Sequence, residues 1–378
     1  MDNDIPYLLL TPGPLITSRR VREAMMRDYS TWDVDYNSLV NNIRDRLVRL
    51  ASEQEGYTSV LMQGSGTFVV EAVIGSVVPD GGTLLVINNG AYGQRMATIA
   101  GRLGIAHLQL QTGETQPPTT ADVDQVLDGN PQVTHVAVVH CETTTGMLNP
   151  VAEIGQVVKD HDCCYFVDAM SSLGGIPLTM EAVQADYLVA SANKCVQGVP
   201  GFGFVIAWQQ AIESIQGQAR SLCLDLHDQW QEMESKQGKW RFTSPTHTVC
   251  AFAEALAELE DEGGVPARHR RYSENQRRLV AGMHQRGFRT LLPAELQSPV
   301  ITAFYDPCPE FDFDTFYDLL KQRRFVVYPG KVSQAQTFRI GTIGHVFPDD
   351  IDQLLESVTE VLAEMQIDPF EFAGEVVP

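Results

Sequence analysis

The feature that most constrains the fold of this chain is an alternation of short apolar runs with helical patterns between Ser59 and Lys194. Four apolar runs are each followed by a helical stretch, and a fifth, "YLVASANK", closes the series. The four runs are "SVLMQGSG", "GTLLVINNGAYG", "VTHVAVVHCETTTG" and "CCYFVDAMSS". This alternation predicts an α/β domain built on a largely parallel sheet. Before it, apolar residues spaced by three and four predict helix from about Val21 to Gln54.

The segments on either side of this domain have a different character. Pro12, Gly13 and Pro14 punctuate an irregular N-terminal arm. Beyond Thr246 come two long helical patterns and the strand-like runs "VITAFY", "FVVYPG" and "TFRIG", which predict a second, smaller α+β domain. A chain of 378 residues also exceeds what one simple core usually holds. We therefore predict an arm at 1–20, a large domain at 21–260, a small C-terminal domain at 261–368 and a loosely held tail at 369–378.

The charge and the cysteines of the chain argue against several classes of partner and site. Lys and Arg number 27 against 48 Asp and Glu, a net charge of -21, and such a surface repels nucleic acid and anionic membranes. No segment approaches the ~20 apolar residues that a membrane helix needs. The seven cysteines lack paired CxxC spacing, which argues against a zinc site or a disulfide framework. Since the acidic N-terminus has no signal-peptide pattern, we expect a cytoplasmic protein without a metal site.

Polar residues follow three of the predicted strands at the points where these strands end. In "QGSGTFVVEAV", Ser65, Gly66 and Thr67 lie where a strand turns into a helix, so amides, hydroxyls and the helix dipole can hold an anion. Asp168 ends the strand of "YFVDAMSS", and Lys194 ends the next one. Their separation of 26 residues, from 168 to 194, equals one strand–helix–strand unit. Because ligands of α/β sheets bind at the carboxyl ends of the strands, we expect both side chains at one edge of the sheet.

Each of these features alone has an ordinary explanation. The glycine-rich turn could be a tight connection between a strand and a helix, Asp168 could cap the turn that follows it, and Lys194 could extend its side chain to solvent. Lys194 is the exception, because it lies among small residues and glycines where an amine is costly to bury. Together the features match pyridoxal phosphate. Its phosphate needs an anion site, its ring nitrogen a carboxylate, and its aldehyde a lysine that forms a Schiff base and whose pKa is lowered by burial. The set predicts this cofactor, with Lys194 as its covalent anchor and later as the carrier of a proton.

Sequence blocks spread over nearly the whole chain resemble one family. The blocks are "LLLTPGP", "GSGT", "NGAYGQR", "ETTTGMLNP", "VDAMSSLGG", "SANKCVQGVPG", "RFTSPTHT" and "FRIGTIG". They resemble the class V aminotransferases of pyridoxal-phosphate fold type I, which implies an α/β large domain with a mostly parallel central sheet and a smaller C-terminal α+β domain. Within that family, the blocks imply an enzyme of phosphonate catabolism. Its expected reaction moves the amino group of 2-aminoethylphosphonate to pyruvate and gives phosphonoacetaldehyde and L-alanine.

The resemblance also implies a role for each matching residue at the cofactor. Lys194 is the Schiff-base lysine, and Asp168 is the partner of the pyridine nitrogen. Tyr92 of "NGAYGQR" stacks on the cofactor, and Thr143 of "CETTTG" contacts the ring and its hydroxyl. The residues that the resemblance places on the phosphate side are Ser65, Gly66, Thr67 and Asn193. An ordinary core tyrosine is the alternative for Tyr92.

Two further residues are implied outside this set. Thr243 of "RFTSPTH" matches a residue that the partner subunit donates to the phosphate, which predicts an obligate homodimer with its sites at the interface. Arg339 of "TFRIG" matches an arginine that binds the substrate carboxylate. A planar guanidinium can bind a phosphonate and a carboxylate in turn, as one pocket serving both substrates requires. A surface ion pair is the alternative for Arg339.

Other interpretations of the chain stay open or are disfavoured. The reaction could instead be that of an alanine–glyoxylate-type transaminase, or of an ammonia-lyase that acts on a hydroxylated aminophosphonate. A nicotinamide-dependent dehydrogenase is disfavoured, because Val69 stands where a dinucleotide fingerprint has its third glycine and because Lys194 would have no role. A catalytically silent binding protein is disfavoured by the intact set of residues. The basic segment "RHRRYSENQRR", 268–278, is expected to be a solvated helix face with ion pairs.

Overall fold

The structure is a computed structural model that describes residues 6–332, 335–368 and 370, so the predicted tail lies outside the described residues except for Phe370. The described chain begins with three short elements, β1 (Leu8–Leu9), α1 (Arg19–Glu23) and a 3₁₀ turn (Ala24–Met26), which are followed by the longer helix α2 (Val34–Ala51). The helix predicted from Val21 to Gln54 is therefore wrong over 27–33. A new helix begins there because the Asp33 side chain accepts a hydrogen bond from the Asp35 amide at 3.4 Å and caps α2.

A seven-stranded sheet forms the centre of the molecule, in the order β2–β10–β9–β8–β5–β3–β4. Its strands are β2 (Tyr57–Gln63), β3 (Thr83–Asn88), β4 (Ala106–Gln111), β5 (Val133–Val139), β8 (Cys164–Asp168), β9 (Tyr187–Ser191) and β10 (Phe202–Trp208). Parallel pairing joins β4, β3, β5, β8 and β9, whereas β10 runs antiparallel between β9 and β2. The prediction of a largely parallel α/β sheet is confirmed.

Helices cover the sheet and explain its apolar strands. They are α3 (Gly66–Val77), α4 (Ala91–Arg102), α5 (Thr120–Asp128), α6 (Val151–Asp160), α7 (Met180–Val183), α8 (Gln209–Ser214), α9 (Leu226–Ser235) and α10 (Thr246–Asp261). Every residue of β3 and β9 is buried, as expected for strands that are covered on both faces. In α6, Val151, Ile154 and Val158 are buried at spacings of three and four, so one face of the helix packs on the core.

The C-terminal part of the chain forms a smaller α+β unit. Its elements are α11 (Gly264–His284), a 3₁₀ turn (Ala294–Leu296), β11 (Ile301–Tyr305), α12 (Phe313–Gln322), β12 (Phe325–Val326), β13 (Tyr328–Pro329), β14 (Thr337–Gly341) and α13 (Pro348–Glu364). The strands β11, β14 and β13 form an antiparallel sheet, and β12 pairs in parallel with β1 of the arm. A short hairpin, β6 (Cys141–Glu142) with β7 (Met147–Leu148), lies after β5. This architecture confirms the expected fold, an α/β large part with a mostly parallel sheet and a smaller C-terminal α+β part.

Two main hydrophobic clusters follow the same division. The larger one draws on buried residues from Val21 to Leu256, and the second combines residues of the arm with residues from Leu279 to Leu362. The arm thus packs against the C-terminal unit, while its Pro12–Pro14 turn passes the edge of the central sheet. The residue boundaries of the domains stay a prediction. Within the ranges described above, no helix is both long enough and apolar enough to cross a membrane.

Candidate active site

A cavity of about 520 Å³ lies at the carboxyl ends of the sheet strands, where the sequence predicts a site. Seven of the ten predicted site residues line it: Ser65, Gly66, Thr67, Tyr92, Asp168, Asn193 and Lys194. β8 and β9 are adjacent and parallel, so the strand–helix–strand unit brings the segments that carry Asp168 and Lys194 to one edge. The fold therefore collects residues that are spread over 130 positions of the chain, from 65 to 194.

The N-terminus of α3 forms one wall of the cavity. Ser65 is the N-cap residue, and its side chain makes no capping hydrogen bond. Arg95 also lines the cavity, and its Nη1 donates to Thr67 Oγ1 at 3.0 Å. A Cβ on Gly66 would overlap the Met170 side chain, so glycine permits this close approach of the two walls. A helix N-terminus with two hydroxyls and one guanidinium is suited to bind a phosphate.

Asp168 contributes a buried carboxylate to the lining of the cavity. The residue is 4% exposed, and its Oδ1 accepts a hydrogen bond from the Met170 amide at 2.8 Å. Burial is the main cause that raises the pKa of Asp168 to about 6; the Met170 hydrogen bond acts to lower this pKa, and the nearby Glu142 carboxylate acts to raise it. A carboxylate in this environment favours a cationic partner. A protonated ring nitrogen is such a partner.

The Lys194 amine is held at the cavity by the N-terminal arm. Its Nζ donates to the Pro12 carbonyl at 2.7 Å. Gly13 has a φ of +115°, and a Cβ there would lie 2.7 Å from Lys194 Cδ. Burial lowers the pKa of Lys194 to about 8, although the nearby Cys195 and Asp168 act to raise it. A substantial fraction of the amine is therefore neutral, and hence nucleophilic, near pH 8.

Tyr92 lies at the start of α4 and faces the cavity. The Arg95 guanidinium lies 4.9 Å from the centre of its ring. The Tyr92 amide donates to Glu142 Oε2 at 3.2 Å, so a carboxylate caps the helix that carries this tyrosine. Glu142 is fully buried, and burial raises its pKa, whereas hydrogen bonds from Thr144 lower it.

The remaining three predicted residues, Thr143, Arg339 and Thr243, are not among the residues that line the cavity. Arg339 is 1% exposed, and it donates from Nη1 to the Thr143 carbonyl at 2.7 Å and from Nε to the Pro329 carbonyl at 3.0 Å. Burial lowers the pKa of Arg339, and its charge acts on Lys194. Thr143 Oγ1 is buried and has no hydrogen-bond partner within the described part of the chain. Thr243 is exposed on the protein surface.

These residues fit pyridoxal phosphate. The α3 N-terminus with Arg95 suits the phosphate, the buried carboxylate suits the ring nitrogen, and the low-pKa amine suits the aldehyde. The unpartnered hydroxyl of Thr143 is a second sign, because a buried polar group is normally hydrogen-bonded. A polar group of the ligand would give this hydroxyl the hydrogen-bond partner that it lacks.

Sequence reasoning missed three contributors to the site. Arg95 stands in the quoted "NGAYGQR" block, where a cation near a predicted anion site was the available signal. Glu142 stands in "ETTTG", where an acidic residue at the end of an apolar strand was a comparable signal. The arm's "TPGP" segment was expected to supply backbone near the substrate pocket, but no local pattern indicated that the Pro12 carbonyl contacts Lys194, which is 182 positions away.

Comparisons with known proteins show which family and fold the chain is similar to. Residues 17–332 match the family described as aminotransferase class-V. A protein of Syntrophobacter fumaroxidans named 2-aminoethylphosphonate–pyruvate transaminase is 60% identical over 358 residues, which are 94% of this chain and 96% of that protein. A protein of Vibrio cholerae with the same name is 58% identical over 94% of this chain and 98% of its own length. Among solved structures, the ureidoglycine–glyoxylate aminotransferase of Bacillus subtilis has the same fold, with a TM-score of 0.88, 22% identity and coverage of 97% of each chain.

Proposed function

The chain belongs to the class-V aminotransferase family, and from this premise we propose that it transfers the amino group of 2-aminoethylphosphonate to pyruvate. The products are phosphonoacetaldehyde and L-alanine. The observation that carries the choice of substrates is the near-full-length similarity to proteins named for this reaction. The cofactor of the enzyme is pyridoxal phosphate.

We assign the binding of the cofactor to residues that line the cavity and to Thr143, which lies outside the lining. Ser65, Gly66 and Thr67 at the α3 N-terminus would bind the phosphate, with Arg95 and Asn193 beside them. Tyr92 would cover one face of the ring, and the Thr143 hydroxyl would bond to a polar group at its edge. The chemistry that pyridoxal phosphate supplies when bound is an electron-accepting ring and an aldehyde that carries the amino group from donor to acceptor.

The acid–base work falls to Asp168 and Lys194. The Asp168 carboxylate would keep the ring nitrogen protonated, because a buried anion without a cationic partner is costly. The neutral Lys194 amine would anchor the aldehyde and, once displaced by the substrate amine, would move a proton at the amino-bearing carbon. The Pro12 carbonyl accepts from this amine and fixes its direction at the cavity wall.

We assign the recognition of both substrates to Arg339. The amino donor carries a phosphonate and the acceptor a carboxylate, so one guanidinium can serve the two half-reactions in turn. The two carbonyl bonds of Arg339 orient its plane, and its burial strengthens its attraction for an oxyanion. This use of one cation explains how an acidic protein can bind two anionic substrates.

The experiment that tests this function is a competition among amino donors with pyruvate as the acceptor. The donors are 2-aminoethylphosphonate, alanine, serine and the hydroxylated aminophosphonate. The proposal predicts that 2-aminoethylphosphonate has the highest kcat/KM and that alanine forms in equal amount to phosphonoacetaldehyde. A carboxylated donor with a higher kcat/KM would favour the alanine–glyoxylate-type reaction. Consumption of an amine without pyruvate would favour the ammonia-lyase.

The lysine can be tested with a matched pair of substitutions. Lys194→Ala should abolish turnover, because it removes the amine that binds the aldehyde of the cofactor and moves the proton. Lys236→Ala removes an exposed lysine that pairs with Glu232, and it should leave turnover unchanged. Wild-type turnover in Lys194→Ala would contradict the assignment.

The assembly we propose is a homodimer in which Thr243 reaches the phosphate of the partner subunit. Three observations support it: Thr243 is exposed, the neighbouring Phe242 is 49% exposed, and Phe68 on the cavity helix α3 is 53% exposed. A second cavity lined by Phe68, Phe242 and Leu224 adjoins the first at Gly64, so apolar surface continues from the site.

Hybrid dimers test this assembly. A dimer of one Lys194→Ala subunit with one Thr243→Ala subunit should regain one intact site, with wild-type cofactor affinity, whereas each variant alone has none. A monomer in sedimentation, or a hybrid dimer without any gain in activity, would refute the shared site.

We also propose that the enzyme works in the cytoplasm. Its seven free cysteines favour this location, because thiols stay reduced there.

A further inference from the structure

The basic segment 268–278 of α11 is not the solvated face that the sequence suggests. Arg268 is 1% exposed, and Tyr272, one turn later, is 0% exposed. On the other side of the helix, Arg278 is 40% exposed and pairs with Glu274 and Asp352. The prediction is therefore correct for one side of α11 and wrong for the other. The buried side has no role in the mechanism described so far.

The buried side of α11 binds the backbone next to the catalytic lysine. Arg268 Nη1 donates to the carbonyl of Cys195 at 2.8 Å, and Arg268 Nε donates to Glu262 Oε2 at 2.5 Å. The Tyr272 hydroxyl donates to the same Cys195 carbonyl at 3.3 Å. Cys195 directly follows Lys194. Two side chains of α11 thus converge on the carbonyl of the residue that follows the lysine.

The same side chains also bind the segment that follows the strand of Arg339. The Tyr272 hydroxyl accepts hydrogen bonds from Gln197 Nε2 at 2.6 Å and from the Gly344 amide at 3.3 Å. Gln197 Nε2 donates also to the Gly344 carbonyl at 2.9 Å. Gln197 belongs to the turn after Lys194, since its amide donates to the Lys194 carbonyl at 2.7 Å. Gly344 follows β14, which carries Arg339.

We propose that Arg268, Tyr272 and Gln197 are positioning residues that hold the Lys194 amine and the Arg339 guanidinium in one fixed relation. The purpose is geometric: a substrate held by its oxyanion must present its amino-bearing carbon to the amine. Lys194 follows β9 of the central sheet, whereas Arg339 lies on β14 of the C-terminal sheet, so their relation depends on contacts between the two sheets.

The energetics of burial support a directional role for this network. An arginine that is removed from water costs free energy unless its hydrogen bonds are complete, and apolar residues in the same place are often as stable. Two nitrogens of the Arg268 guanidinium have such partners, Nε a carboxylate and Nη1 a backbone carbonyl. Glu262 holds Arg271 as well, and Arg271 donates to the carbonyls of Gly344 and Val346 at 2.8 and 2.7 Å. The whole network ends on backbone atoms of the two site-bearing segments.

The decisive experiment measures the pKa of the Lys194 amine in the cofactor-free protein. Competitive labelling with acetic anhydride at a series of pH values, followed by peptide mass mapping, gives the titration of each lysine. The wild type should have its midpoint near pH 8. Tyr272→Phe keeps the ring and removes only the hydroxyl, and Arg268→Met removes the guanidinium.

We expect the midpoint in both variants to rise toward the ordinary value of 10.5, by at least about half a unit for Tyr272→Phe, because a loosened turn admits water to the amine. The charged and titratable groups that face the amine stay in both variants: Asp168, Cys141, Cys195 and Arg339. Tyr272→Phe removes no charge, so a shift in this variant reports a change of position, whereas a shift in Arg268→Met also includes the loss of a cation beside Cys195. The control is Arg278→Met on the exposed side of α11, which should titrate like the wild type.

Steady-state kinetics test the Arg339 half of the proposal, which rests on the proposed function. Tyr272→Phe should raise the KM for pyruvate and for 2-aminoethylphosphonate about tenfold more than Arg278→Met does, which corresponds to about 1.4 kcal/mol. A wild-type Lys194 midpoint in Tyr272→Phe overturns the proposal, even if Arg268→Met fails to fold. A shifted midpoint with wild-type KM values overturns the part that concerns Arg339. Because the labelling uses no substrate, its outcome is independent of whether the phosphonate is the true donor.

Discussion

Replacing Asp168 by Asn should stabilise the cofactor-free protein at neutral and alkaline pH. The carboxylate is 4% exposed, and its Oδ1 accepts one hydrogen bond from the Met170 amide, which an asparagine oxygen can also accept. Burial raises the pKa of Asp168 from 3.8 to about 6. The folded protein therefore keeps a proton over a pH range in which the unfolded chain has lost it.

The size of the effect follows from this pKa difference. Below pH 3.8, the pKa of Asp168 in the unfolded chain, the carboxyl group is protonated in both states and does not change the free energy of unfolding. As the pH rises from about 4 to about 6, the unfolded chain ionises first, so the free energy of unfolding falls. Above pH 6 both states are ionised, and the cost stays constant at ~3 kcal/mol, since one pKa unit corresponds to ~1.4 kcal/mol. About half of this cost is already present at pH 5.

The assay is urea unfolding of cofactor-free wild type and Asp168→Asn at several pH values between 5 and 8, at one protein concentration. The stability advantage of the variant should grow by roughly 1.4 kcal/mol across this range. With bound cofactor the order should reverse, because a protonated ring nitrogen pairs with the carboxylate and not with the amide. An advantage that is independent of pH, or a less stable cofactor-free variant at pH 8, would refute the reasoning.

Three further predictions concern the arm, the lysine and the arginine. Gly13→Ala would place a methyl group 2.8 Å from Lys194 Nζ, at a φ of +115° that favours glycine. The incorporation of the cofactor, followed by absorbance, should therefore slow at least about tenfold. An unchanged rate would show that the contact between the arm and the lysine is absent. Uptake of pyridoxal phosphate by the cofactor-free protein should become faster as the pH rises through about 8, because only the neutral Lys194 amine attacks an aldehyde. A rate that does not change between pH 6 and pH 9 would contradict this. Arg339→Lys should raise the KM of both substrates at least about tenfold, with a smaller effect on kcat. A lysine lacks the planar guanidinium and cannot keep both bonds to the backbone carbonyls. A change in the KM of only one substrate would argue against a shared oxyanion site.

Much of the fold could be predicted because its signals are local. Strands such as β3 and β9 are buried on both faces and appear as continuous apolar runs. Once the strand–helix alternation is recognised, topology places the ends of β2, β8 and β9 at one edge. That is why Ser65, Asp168 and Lys194 could be expected near one another from the sequence alone.

The features that were missed depend on contacts between distant parts of the chain. The edge strand β4 was not indicated, because it is partly exposed and carries polar residues at alternate positions. The break in the first helix depends on the cap at Asp33, a single side-chain contact. The burial of Arg268 depends on where the turn after Lys194 meets α11, and the sequence of α11 alone suggests solvent.

The central claim is that Lys194 is the residue that carries the cofactor, and chemical trapping tests it most directly. The holoenzyme is reduced with borohydride, digested and mapped by mass spectrometry, and the cofactor's mass is located on a peptide. We expect the added mass on Lys194. It should disappear when the holoenzyme is first treated with L-alanine or with 2-aminoethylphosphonate, because either amine displaces the lysine from the cofactor. Attachment at any other lysine, or a reduced protein without the added mass, would contradict it.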